Sequence, residues 1–410
     1  MNKHTRLIAF DASQGDQWGA TSPPIYQTAT FAQESADEFG TFDYARSGNP
    51  TRAALERRMA ELDHGASACA FASGLAAITA VTRLLRPNDE MLAHEDCYGG
   101  TYRLFSRVCA ERGMLTRYAD LVDGDSGDWS NAIHASTSIV FVESVSNPLL
   151  RVPDLRELAR LAHSRGALLC VDATAMSPWI QRPLELGADL VVHSATKLLS
   201  GHGDVTAGIV VARTEELGRR LRFLQNAEGA VLGPFDSWLV LRGMQTLGVR
   251  LDRQQATAQV VAEWLSQRSD VTNVRFPGLA MHPDHRRHAQ QAEGPGVVIS
   301  FQTGDVERSS RLVESLERFS IAVSFGSVAS TASLPCFMSH ASVPATARSE
   351  RSLPTDLIRL SIGLEDANDL INDLDRAITG ASDSALRQSD PAIPWLDPVA
   401  PLDRAQREPA

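Results

Sequence analysis

The chain has 410 residues, 43% of them hydrophobic and 22% charged, and a formal net charge of −11. That is the balance of a globular chain long enough for two or three domains, and its negative sign argues against a nucleic-acid surface. The five cysteines, Cys69, Cys97, Cys109, Cys170 and Cys336, show no Cys-x-x-Cys spacing. With no signal-peptide core at 1–12 and no apolar run of membrane-spanning length, they read as reduced thiols in a cytoplasmic protein.

Residues 1–45 read as an extended arm. Pro23-Pro24 and the polar alternation over 26–31 resist a helix, and an arm that cannot bury its own apolar face is expected to lie on a partner subunit. The octet Tyr44-Ala45-Arg46-Ser47-Gly48-Asn49-Pro50-Thr51 follows. Thr51 is the expected N-cap of a helix through Leu62, closed by His64-Gly65. Tyr44 and Arg46 stand just outside it, where a phenol and a guanidinium are able to grip a phosphate; by itself the octet is equally a polar turn. A small-residue strand at 68–72 turns at Ser73-Gly74 into a helix over 75–85. The glycine lets backbone amides approach a phosphate at the helix N-terminus. A short strand at 91–93 leads to Tyr98-Gly99-Gly100-Thr101, where the tyrosine either stacks on a flat ring or packs as a core residue.

A strand at 138–142 ends in Glu143-Ser144-Val145-Ser146-Asn147-Pro148, and a helix over 154–164 follows. The next strand, 167–171, ends at Asp172, placed to face a protonated pyridine nitrogen. Then the strand 190–192 runs into Ser194-Ala195-Thr196-Lys197, with Gly201 and Gly203 beyond. A lysine ending a buried strand is costly unless paired, neutral or covalently used, and desolvation makes its amine a nucleophile for carbonyls. Ser194 and Thr196 are able to hold an anion beside it. Together they point to a Schiff-base lysine holding pyridoxal 5′-phosphate, against the plainer reading of a surface lysine at a strand end. With a further strand at 208–212, the alternation predicts a mostly parallel α/β sheet that binds its ligand at the carboxyl ends of the strands.

A helix at 215–225 and a long helical region over 235–266, bent near Gly243 or Gly248, lead out of that sheet. Strands at 296–301, 321–324 and 357–362, with helices at 309–318 and 367–378, predict a smaller α+β domain. The expected organisation is an arm at 1–45, a cofactor-binding domain at 46–240, a small domain at 241–380 and a loose tail at 381–410. His282, His285 and His288 have the spacing of one helix face. Their neighbours Pro283 and Asp284 and the following arginines favour an exposed loop over a metal site.

Several motifs agree in type and order. Ser-Ala-Thr-Lys followed by Gly-His-Gly-Asp, and Tyr-x-Arg-x-Gly-Asn-Pro-Thr, are the most specific, supported by Ser73-Gly74, Tyr98-Gly99-Gly100-Thr101, Ser146-Asn147-Pro148 and Arg359-Leu360-Ser361. In these the chain resembles the Cys/Met-metabolism family of pyridoxal-phosphate enzymes, over residues 19–378. The family spans cystathionine γ-synthases, cystathionine γ- and β-lyases, methionine γ-lyases and O-acetylhomoserine sulfhydrylases. The resemblance implies fold type I, the aspartate-aminotransferase architecture, in a homotetramer of dimers with active sites shared across the dimer. It implies that Lys197 carries the cofactor and moves protons, that Asp172 pairs with the pyridine nitrogen and that Asn147 bonds the ring hydroxyl. Tyr98 would stack on the ring and act on the leaving group. The Gly74 and Leu75 amides, with Ser194 and Thr196, would hold the phosphate, and Tyr44 and Arg46 would reach the neighbouring subunit's phosphate. Arg359 would clamp the substrate carboxylate, helped by Ser324 and Asn147.

The chain departs from the family pattern in four places. Ala173 replaces the asparagine of Asp-Asn-Thr, Val145 replaces a proline, and Ala329 stands where many members have glutamate. Gly100 stands where methionine γ-lyases usually have cysteine. The expectation is γ-elimination or γ-replacement on a γ-substituted L-amino acid. The alternatives are β-elimination, a biosynthetic enzyme with a non-sulfur leaving group, and a non-catalytic cofactor-binding protein. If Ala329 lines the distal pocket, cystathionine should be a poor substrate, because its second ammonium would lose a charged partner.

Overall fold

The computed structural model describes residues 2–9, 18–122, 129–340 and 353–383. Seven strands form the larger sheet: β1 (Ser67–Phe71), β2 (Glu90–His94), β3 (Leu115–Ala119), β4 (Thr137–Glu143), β5 (Leu168–Asp172), β6 (Leu190–Ser194) and β7 (Gly208–Ala212), in the order β1-β7-β6-β5-β4-β2-β3. β7 runs antiparallel to β1 and β6, and every other pair is parallel. The central strands are near-continuous apolar runs because both faces are covered. Val140, Val142, Leu169, Val171 and Val191 pack on one face, and Ile139, Phe141, Cys170, Leu190 and Val192 on the other. Since β4, β5 and β6 are parallel, they deliver Glu143, Asp172 and Ser194 to a single edge of the sheet. The fold is thus α/β, with a mostly parallel mixed sheet and a second, smaller sheet.

That second sheet comprises β8 (Thr272–Arg275), β9 (Val298–Gln302), β10 (Ser320–Ile321), β11 (Thr331–Ser333) and β12 (Leu357–Ser361), in the order β10-β11-β12-β9-β8. Ile299, Phe301, Ile358 and Leu360 pack under Leu370, Leu374 and Ile378 of the helix Ala367–Asp383. This helix continues past residue 381, where the tail was expected to begin; residues 384–410 lie outside the described ones. The strand expected at 321–324 stops at Ile321. Ser324 leaves the ladder because its carbonyl and hydroxyl bond Arg359 and Lys197 instead. The long helical region is divided into Pro234–Met244 and Leu247–Ser266, with the break between the two expected glycines.

The N-terminus also differs from an extended arm. Lys3–Ile8 is helical, capped by Asn2, and Leu7 is buried with Leu55 and Met59 of the same chain. Residues 18–45 are irregular, with one isolated bridge, Thr30 to Tyr44. The helix Pro50–Asp63 is capped by Asn49 rather than Thr51. Asn49 Oδ1 accepts from the N–H groups of Thr51 and Arg52, while Pro50 occupies the first position, where no donor is needed. The Thr51 hydroxyl instead ties down the preceding segment, donating to the Pro24 carbonyl and accepting from the Tyr26 N–H. The three histidines do not form an exposed loop. His285–Gln291 is a short helix, and His282 and His288 are buried because their ring nitrogens bond backbone groups of Asp284 and Gly294.

Candidate active site

A cavity of about 240 Å³ opens where the ends of β4, β5 and β6 meet the smaller sheet. Its floor begins at the turn from β1 into the helix Gly74–Thr82. Ser73 caps that helix by accepting from the Ala76 N–H, 3.1 Å away. Gly74 and Leu75 hold the first two helical positions, so their N–H groups have no carbonyl within the helix. A Cβ on Gly74 would lie 2.9 Å from the Cβ of Ser194, so only glycine permits this approach of backbone to strand end. Ser194 and Thr196 also line the cavity. The Thr196 hydroxyl is occupied by the backbone of Ala207, accepting from its N–H at 2.9 Å.

Asp172 ends β5 beside Ser194. Its Oδ1 accepts from both the N–H and the hydroxyl of Thr174, and the same hydroxyl accepts from the Ser194 N–H at 2.8 Å. Thr174 therefore locks the carboxylate to the neighbouring strand. Burial raises the Asp172 pKa, against the lowering effect of those bonds. The register places Glu143 directly opposite Asp172. Burial, then the Asp172 charge, pushes Glu143 well above the usual carboxylate range. A buried carboxyl group, Glu143, and a half-buried one, Asp172, thus face the cavity edge, and among the described residues no cationic side chain is bonded to either.

Lys197 stands one turn beyond β6, and its Nζ donates to the Ser324 hydroxyl at 2.6 Å. Burial and, after it, the Arg359 charge lower its pKa from 10.5 to about 8, so near physiological pH the amine is still mostly protonated but has a far larger neutral fraction than an ordinary lysine. Arg359, on β12, is 2% exposed. It donates from Nη1 to Asn147 Oδ1 at 2.9 Å and from Nη2 to the Ser324 carbonyl at 3.1 Å, while its buried Nε has no bond. Burial lowers its pKa to about 10. Phe325 lies between the two cations, its ring centre 5.3 Å from Lys197 Nζ and 5.5 Å from the Arg359 guanidinium. Asn147 turns its oxygen to Arg359, which leaves its amide N–H groups as donors. Tyr98 is at the cavity edge, 38% exposed, with its ring edge-to-face to His340. A Cβ on Gly100 would lie 2.5 Å from that ring, so glycine permits its present position.

The structure thus brings Gly74, Leu75, Tyr98, Asn147, Asp172, Ser194, Thr196, Lys197 and Arg359 around one cavity, with Ser324 bonded to Lys197 at its wall. Tyr44 and Arg46 lie apart from it: Arg46 donates to Asn226 Oδ1 at 3.1 Å, and its guanidinium sits over the Tyr44 ring. Ala329 is exposed and does not line the cavity, so within this chain the expected loss of a distal-ammonium partner has no geometric support. Ala173 is buried in the core, and Val145 does line the cavity. The sequence reading missed Glu143, Thr174 and Phe325. Glu143 and Thr174 each stand beside a residue that was singled out, at a strand end or just past it. Phe325 follows Ser324, but nothing in its spacing marks it as a cavity residue.

The donors and acceptors suit pyridoxal 5′-phosphate. Free amides, a small-residue floor and the Ser194 hydroxyl suit a phosphate, the cation-free Asp172 suits a pyridinium, and Lys197 suits the aldehyde. Comparison with known proteins agrees. The sequence model of the family described as "Cys/Met metabolism PLP-dependent enzyme" matches residues 4–379. The chain is 48% identical to the chloroplastic cystathionine beta-lyase of Arabidopsis thaliana, over 91% of this chain and 80% of that protein. It is 42% identical to the cystathionine gamma-lyase of Bacillus subtilis (strain 168), over 92% and 99%. The crystal structure of cystathionine gamma-lyase from Lactobacillus plantarum complexed with L-serine superposes with a TM-score of 0.90 at 38% identity, covering 93% of this chain and all of that one.

Proposed function

The chain belongs to the family of Cys/Met-metabolism PLP-dependent enzymes, and we propose that it is a lyase releasing a thiol from a thioether L-amino acid of the cystathionine type. The observation that carries this is the half-buried Lys197 amine, with its pKa lowered to about 8, lining a cavity that Arg359 also lines. When bound, pyridoxal 5′-phosphate supplies an electron sink for the charge left at the substrate Cα.

The side chains would divide the remaining work. The Gly74 and Leu75 amides, with the Ser194 hydroxyl, hold the phosphate, and Thr196, its hydroxyl engaged by Ala207, would have to exchange that bond to join them. Asp172 keeps a proton on the ring nitrogen, and Thr174 keeps Asp172 in place. Asn147 donates to the ring oxygen, and Tyr98 covers the ring. The unbonded Nε of Arg359 takes a substrate carboxylate oxygen, which removes the cost of a buried unpaired donor. Lys197, once its amine is free, removes the Cα proton. For a γ-substituent it must also take a Cβ proton; for a β-substituent the thiolate leaves without that second transfer. Both readings use the same walls. The β-eliminating one is favoured by the 48% identity to a protein named cystathionine beta-lyase. Cystathionine decides between them: β-elimination yields pyruvate and homocysteine, γ-elimination yields 2-oxobutyrate and cysteine, each with ammonia. Mass spectrometry of all products, run beside methionine and O-acylhomoserines, tests the proposal, and no turnover of any thioether would refute it.

Tyr44 and Arg46, outside this chain's cavity, are read as contacts to the phosphate in a neighbouring subunit of a homotetramer. The supporting observation is the irregular, largely exposed segment ahead of them. Mixed subunits of Arg46→Ala and Lys197→Ala should then regain activity that each lacks alone. A cytoplasmic location is read from the buried thiols of Cys69, Cys109 and Cys170. Among the described residues no helix is long and apolar enough to cross a membrane.

A further inference from the structure

We propose that Glu143 is a positioning residue that clamps the Tyr98 loop to the Asn147 loop and, through Asn147, sets the Arg359 guanidinium. The inference rests on the reading of Arg359 as the holder of the substrate carboxylate. Glu143 ends β4 and is 6% exposed. Its Oε1 accepts from the Tyr98 N–H at 2.6 Å, and its Oε2 accepts from the Asn147 N–H at 3.0 Å. One side chain therefore fixes the backbone of the residue that covers the ring and of the residue that bonds Arg359 Nη1 at 2.9 Å. A second tie joins the same two loops, from the Ser146 hydroxyl to Asp96.

The chemistry of the clamp requires a carboxyl group of this length. Two N–H donors converge on two oxygens. Glutamine would offer one oxygen and oppose the other N–H with its own amide donor. Aspartate keeps both acceptors but is one methylene shorter. Nor does Glu143 read as a stabilising ion pair. Among the described residues no cationic side chain bonds it, and it faces the Asp172 carboxyl across the strand pair. Burying a carboxyl group beside another costs stability. The return for that cost lies in the geometry of the site.

The test compares wild type, Glu143→Gln, Glu143→Asp and Asn147→Ala, each reconstituted with pyridoxal 5′-phosphate, and the double variant of Glu143→Gln with Asn147→Ala. The readouts are KM and kcat on cystathionine and the visible circular dichroism of the bound cofactor. In Glu143→Gln, KM should rise about ten- to a hundredfold, more than kcat falls, which is the effect of leaving one buried N–H unsatisfied. The dichroism of the bound cofactor should change as Tyr98 shifts. The double variant should lose little beyond Asn147→Ala alone, because both act on one contact. Wild-type KM and dichroism in Glu143→Gln, or strictly additive losses in the double variant, would overturn the proposal. Failure of both Glu143 variants to fold would also overturn it, by assigning the residue to stability. If wild type itself turns over no thioether, the functional reading fails, and the dichroism alone decides whether Glu143 places Tyr98.

Discussion

The two walls of the cavity are built in different ways. The cofactor wall comes from consecutive parallel strands, which carry Asp172 and Ser194 to one edge, both anchored by Thr174, with the backbone of Lys197 just beyond. The substrate wall is assembled across the chain: Lys197 meets Ser324 from 127 residues away, and Arg359 meets Asn147 from 212. The first wall is fixed once its sheet forms. The second exists only when both sheets are docked, so changes in it should alter substrate binding while leaving the cofactor in place.

The largest effect should come from the cofactor wall. Lys197→Ala should lower kcat by about 10²–10⁴-fold or more, as expected for loss of a proton-transferring group, and should abolish covalent attachment of the cofactor. Steady-state rates and absorbance near about 420 nm, the region of a protonated pyridoxal imine, check both. Residual cofactor attachment in this variant would break the division between the walls.

The same lysine gives the next effect, on stability without cofactor. Its folded pKa of about 8 lies below its ordinary 10.5. Between those values the unfolded chain binds more protons than the folded one, so stability rises with pH across that window. Below pH 8 both states are protonated and the full cost of the buried ammonium is present, on the order of 3 kcal/mol. Urea unfolding of the cofactor-free protein at pH 7 and pH 10 should show the gain, and Lys197→Ala should flatten it. An unchanged slope in that variant would place the titration elsewhere.

On the substrate wall, Arg359→Ala should raise KM about ten- to a hundredfold with cofactor absorbance unchanged. Arg359→Lys should also lose affinity, since an ammonium cannot reproduce the planar fork. Cofactor loss in either variant would join the two walls into one unit. The smallest effect is expected at Ala329, exposed and off the cavity. Ala329→Glu should change kcat/KM for cystathionine by no more than about twofold. A larger gain would show that this position reaches the substrate in the assembled enzyme.

The contrast also explains what the sequence makes legible. Lys197, Asp172, Ser194 and Gly74 sit at strand ends or helix starts, where an unusual residue in an apolar context stands out. Glu143 has the same setting, but an acid at a strand end is also the ordinary sign of a strand leaving the core. β3 and β8 were missed because their partly exposed residues lack apolar alternation, and β11 because it is three residues long. Asn49 rather than Thr51 is the cap because Pro50 is suited to the first helical position, where no N–H is needed. Ala329 was placed by motif distance alone, which does not say which residue of an irregular segment faces a cavity, and within this chain it does not line one.

Reduction with borohydride followed by peptide mass mapping tests the central claim most directly. The chain has just two lysines, Lys3 and Lys197, and Lys3 is paired with Glu293 at 2.6 Å on the N-terminal helix. The account predicts one stoichiometric pyridoxyl adduct, on the peptide containing Lys197. An adduct on Lys3 alone, or none on a protein that binds the cofactor, would contradict it.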